Sequence, residues 1–96
     1  MNLDDKKLAR EAAKLRTGEL LRLLRAHPDQ AAVGKPVHEC EQLERAIDAF
    51  HMEAIRFRMY SLDRFIHHAD SAPDASLQYT FNELKTALEA AGFQTR

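Results

Sequence analysis

The chain has no tryptophan, a single cysteine, and only three glycines and three prolines in 96 residues. Each shortage closes off a class of protein. With Cys40 alone, neither an intrachain disulfide nor a CxxC metal or redox site can form. So few backbone breakers, beside plentiful Ala, Leu, Glu and Arg, favour helix over sheet. No apolar run approaches the length of a membrane span. The opening MNLDDKKLAREAAK is charged throughout and lacks an apolar signal core, so the expectation is a cytoplasmic protein in a reducing compartment, with an uncleaved secretion signal as the alternative. Net charge is −1, which gives no global drive toward nucleic acid or an anionic membrane.

What is present is ordinary for a helical domain: 45% hydrophobic and 30% charged residues, too apolar for a disordered chain. Ninety-six residues make one domain with a thin stability margin, so association with itself or a partner is a natural expectation. Charge is uneven. Residues 1–35 carry eight Lys/Arg against five Asp/Glu, a net +3, and residues 36–96 carry six against ten, a net −4.

Three helical segments follow from the spacing of apolar residues. The first covers about 3–26, with Leu8, Ala12, Leu15 and Leu23 on one face and Ala9, Ala13, Leu20 and Leu24 widening it. Thr17-Gly18 marks a kink or split within it, and His27-Pro28 closes it. Residues 27–36, with two prolines and a glycine, predict a loop, Pro36 serving the first turn of the next helix. The second segment, about 37–69, contains no Gly or Pro and would span on the order of 50 Å. It carries two apolar seams rotated about the helix: Cys40, Leu43, Ile47, Phe50, Ala54 and Phe57, then Met52, Ile55, Met59, Leu62, Ile66 and Ala69. The third, about 72–91, starts with Ser71 and Asp74 spaced as a capping box, and ends with Gly92 as a left-handed stop and Phe93 folding back on Leu88. The economical assembly is an all-α, up-down-up antiparallel three-helix bundle with a long central helix.

Candidate chemistry centres on the central helix. Glu44, Asp48, His51 and Arg58 form a polar line between the seams, readable as a ligand- or metal-responsive network or as side chains at the wet edge of a core, with Asp4 or Asp5 as the expected partner of Arg58. Asp48 and His51 imitate the acid-x-x-His step of di-iron bundles, but no second copy exists on the other segments, so neither metal nor cofactor is expected. Cys40 and His51 lie on the order of 16 Å apart along one helix, too far for a nucleophile and its base. Lys6, Lys7, Arg10, Lys14 and Arg25 make a basic face on the first segment, yet Glu11 interrupts it and no aromatic residue interleaves, so nucleic-acid binding is a minor alternative. What remains is a non-enzymatic protein-protein interaction module, adaptor, regulator or self-associating subunit, with homodimerisation its simplest form and Met52, Phe57, Met59 and Tyr60 its candidate surface.

Overall fold

Asp4 and Asp5 in the first turn and Arg22 and Arg25 in the last put charge where the helix dipole favours it, and between them α1 runs from Leu3 to Arg25. The structure, a computed structural model, describes residues 3–68 and 74–95. Helix α1 is continuous through Thr17-Gly18, where the sequence suggests a kink or split. Thr17 is fully buried and its Oγ1 donates to the Ala13 carbonyl at 2.8 Å, which ties it into the existing helix instead of capping a new one.

The end of α1 and the start of α2, Gln30–Asp48, share their caps. Asp29 accepts the Ala32 N–H at 3.2 Å. The Gln30 side-chain amide reaches back to the carbonyls of Leu24, Arg25 and His27 at 3.1, 3.0 and 2.6 Å, covering acceptors that a helix end leaves open. The expected loop over 27–36 therefore shrinks to residues 26–29, and Pro36 lies inside α2. An interior proline forfeits one backbone bond and costs about 3 kcal/mol. Val33, Pro36 and Cys40 are all buried at helical spacing, and that burial offsets the loss.

The long central helix is the larger correction. It is two helices, α2 and α3, the latter spanning Met52–His68. Phe50 adopts the left-handed backbone region with φ 54°. Its N–H donates to the Ile47 carbonyl at 3.2 Å, and the His51 N–H donates to the Ala46 carbonyl at 2.9 Å, the paired bonds of a Schellman stop. His51 then opens α3: its carbonyl accepts the Ile55 N–H at 3.0 Å, and its Nδ1 accepts the Ala54 N–H at 3.2 Å as an N-cap. The physical reason for the break is burial. An unbroken rod cannot press both seams against one core, whereas after the reversal Cys40, Leu43 and Ile47 of α2 and Ile55, Met59, Leu62 and Ile66 of α3 are buried in the same cluster. Phe50 and Phe57, assigned to the first seam, are exposed.

Helix α4, Ala75–Ala90, begins at Asp74, whose carboxylate accepts the N–H groups of Ser76 and Leu77 at 2.8 and 3.3 Å. Asp74 is thus the cap itself, not the third residue after one; Ser71, the Asp70–Pro73 corner and Ala69 lie outside the described residues. At the other end Gly92, φ 94°, donates to the Glu89 carbonyl and Phe93 to the Leu88 carbonyl, both at 3.0 Å, and Phe93 is buried.

The four described helices form an up-down-up-down bundle, and the three-helix architecture does not hold. Helix α1 packs most extensively on α4 and then on α2, α2 packs on α3, and α3 touches α4 least. Pairs α1/α3 and α2/α4 lie on the diagonals, without close backbone approach among the described residues. Ion pairs Lys14–Asp48 at 2.6 Å and Arg25–Glu41 at 3.2 Å mark the antiparallel register of α1 on α2. The apolar face of α1 is also relocated: Ala13, Leu20, Leu21 and Leu24 enter the core with Thr17, while Leu8 and Leu15 remain outside.

Gly34 is an exposed helical residue with nothing within 4 Å of where a Cβ would stand. Gly34→Ala is expected to raise unfolding free energy by about 0.5–1 kcal/mol in urea titrations. A loss of stability would show that the segment around Pro36 is not helical.

Candidate interaction surfaces and the dispersed polar line

The turn that separates α2 from α3 also takes apart the polar line read from the sequence. Asp48, the last residue of α2, pairs with Lys14 on α1 at 2.6 Å. His51 spends its Nδ1 on the α3 cap. Arg58 points across to α2, where its Nη1 donates to both carboxylate oxygens of Glu39, at 3.2 and 3.0 Å. Glu44 is half-buried on α2. The four residues do not converge on one ligand position. Asp4 and Asp5 are not the partners of Arg58, because α1 and α3 are diagonal in the bundle.

Glu39 is the residue that sequence reading missed. Its side chain is only 7% exposed, and it stands between Pro36 and Leu43 on the three-and-four spacing of buried α2 positions, a signal available in the sequence. A carboxylate there is tolerable only with a cation at hand, and Arg58, itself about a quarter exposed, supplies it. The Arg58 guanidinium also lies 5.1 Å from the Phe57 ring centroid.

Cys40 is fully buried in the core. Burial first, and then the carboxylates of Glu44, Glu39 and Glu41, push its thiol up to about 12. The thiolate is therefore scarce at neutral pH, and Cys40 packs as a small apolar side chain. Among the described residues no group of three or more His, Cys, Asp or Glu is placed to hold a metal ion. The basic face of α1 is broken up as well: Lys14 and Arg25 pair with α2 carboxylates, and Arg10 lies over the Phe50 ring at 4.2 Å. No helix of the described residues is long and apolar enough to cross a membrane.

Among the described residues the surface holds three apolar features. On α1, Leu8 and Leu15 are 64% and 61% exposed, Leu23 is also exposed, and Tyr79 of α4 continues the patch. A groove of about 590 Å³ separates Leu23 from Tyr79, with Glu19 and Arg22 on its α1 wall. On α3, Phe57 and Tyr60 are exposed, and Arg64 donates to the Tyr60 hydroxyl at 3.3 Å. Met59 is 1% exposed and belongs to the core, so the candidate surface of Met52, Phe57, Met59 and Tyr60 loses one member to packing. Third, Met52 sits with Phe50 and Phe93 in a separate cleft beside the start of α1.

Two outcomes check these placements. Arg58→Ala, by stranding the Glu39 carboxylate, should lower stability by about 2–3 kcal/mol, and a Glu39→Leu/Arg58→Leu double variant should recover much of that. Independent additive losses in this cycle would dissolve the pair. Thiol labelling of native Cys40 should be at least on the order of a hundredfold slower than of the unfolded chain. Comparison with protein-family models, with curated proteins and with solved structures gave no match to this chain.

Proposed function

We propose that this chain is a small, non-enzymatic, cytoplasmic helical interaction module that docks through the outer stripe of α1, and that its basic partner is a second copy of itself. The observation that carries this reading is the exposure of Leu8 and Leu15 on α1, joined by Leu23. Leu8 and Leu15 are one heptad apart and share a line along the helix, and Leu23, eight residues further on, is turned toward α4, so the three mark a curved strip about 22 Å long. Neither α2 nor α4 covers Leu8 or Leu15, and α4 flanks Leu23 across the groove. Large leucines at this exposure are costly in water and cheap against another helix.

Charge selects the occupant. The first turn of α1 is acidic, Asp4 and Asp5, and its last turn is basic, Arg22 and Arg25. Arg25 is held by Glu41 of α2, so on the face that carries the leucines Asp4 and Asp5 at one end and Arg22 at the other make an antiparallel pairing self-complementary. A two-fold pairing centred near Leu15 sets Leu8 of one copy close to Leu23 of the other and brings Arg22 toward the acidic turn, an isologous interface. Tyr79 and the neighbouring groove widen the contact beyond a single helix. The area stays at the small end of specific interfaces, so the dimer forms and dissociates with concentration.

Light scattering at two concentrations tests this. The mass should rise from the 11.0 kDa of the chain toward twice that value. Leu15→Glu should hold it at monomer without loss of helicity. Arg22→Glu should weaken association, and adding Asp4→Arg should restore it. A strict monomer at millimolar concentration, or a dimer indifferent to Leu15→Glu, would remove the reading.

A further inference from the structure

Phe50 raises a question that the fold does not answer. It holds a left-handed backbone angle, φ 54°, at a position where glycine or asparagine would be less strained, yet its side chain is 62% exposed and adds little to the core. Its ring instead forms the wall of a cleft of about 460 Å³ at the end of the bundle where the α2–α3 turn, the start of α1 and the end of α4 meet. Phe93 stands 6.4 Å away, centroid to centroid, and Met52, Ala91 and Gly92 complete the apolar side. The other side is cationic: Lys6, Lys7 and Arg10, opposed by the single carboxylate of Asp4.

We infer that this cleft binds a small amphipathic anion, a straight-chain alkyl carboxylate of medium length, with the chain along Phe50, Met52 and Phe93 and the carboxylate toward Arg10 and the two lysines. Four features agree on this class. The volume falls in the lower half of the range of about 300–1,000 Å³ typical of small-molecule sites. The Phe50 and Phe93 rings are tilted by 46° and make no parallel slot for a flat aromatic ligand, while the Met52 thioether is an adaptable surface for an alkyl chain. The Arg10 guanidinium carbon lies 4.2 Å from the Phe50 ring centroid, which sets a fork of N–H donors suited to a carboxylate against the apolar wall. Finally, three cations against one carboxylate select the sign of the head group. The cationic wall of the cleft lies away from the leucine stripe, since Arg10 and Lys6 project well round α1 from Leu8 and Leu15, although Asp4 borders both.

The test is an amide-shift titration of the full chain with sodium octanoate, run beside octanol and octyltrimethylammonium. Octanoate should move the amides of Phe50, Met52, Gly92 and Phe93 and saturate, with the neutral and cationic chains weaker by roughly tenfold or more. Phe50→Asn, which suits the left-handed angle, should keep the thermal midpoint and still weaken octanoate, as should Lys7→Gln/Arg10→Gln. Saturating shifts elsewhere on the surface, equal binding of octyltrimethylammonium, absence of saturation, or unaltered affinity in these variants would each overturn the assignment.

Discussion

Three residues, Ala49, Phe50 and His51, reverse the chain between α2 and α3, and the arrangement of the bundle follows from that reversal. The backbone bonds from Phe50 to Ile47 and from His51 to Ala46 stop one helix, and the His51 imidazole caps the next. A side chain at φ 54° costs on the order of 1–2 kcal/mol relative to the right-handed regions. The return is that two apolar seams, which diverge along any single rod, turn to face one core. Once α3 lies beside α2, α2 is diagonal to α4 and α3 is diagonal to α1, and Arg58 meets Glu39 instead of the start of α1.

The helical character of the chain was legible from its composition and spacing, and so was the closure of α4 by Gly92 and Phe93. The reversal was not, because its residues are the wrong types for the rules. A left-handed stop is ordinarily announced by Gly or Asn, and an N-cap by Ser, Thr, Asp or Asn; here Phe and His do those jobs. The trace it did leave was the rotation between the two seams, which marks two helices as readily as one helix with two neighbours. Proline misled in the opposite direction. Pro36 looked like a boundary, but Asp29 and Gln30 had already set the caps seven and six residues earlier, and the buried face of α2 outweighed one missing bond.

The polar line failed, and α1 was turned, for a related reason. Periodicity shows which residues share a face, not which face wins the core. Helix α1 is apolar over a wide arc, and two neighbours cover only part of it, so the choice of Ala13, Thr17, Leu20 and Leu24 left Leu8 and Leu15 outside. The proposed interaction role rests on that leftover. The buried Glu39 was hidden by the same logic: a carboxylate on an apolar spacing is read as a gap in the pattern until its cation is found on another helix.

The measurement closest to the centre of this account is a distance between α2 and α3. Lys35 and Arg64 are exposed and line the same inter-helix groove. Spin labels at those two positions, in a Cys40→Ala background, should lie within about 25 Å, since packed helices run about 10 Å apart. A continuous helix from α2 into α3 would place them about 44 Å apart at 1.5 Å per residue. A distribution centred on the short distance supports the reversal at Phe50, and one centred on the long distance contradicts it.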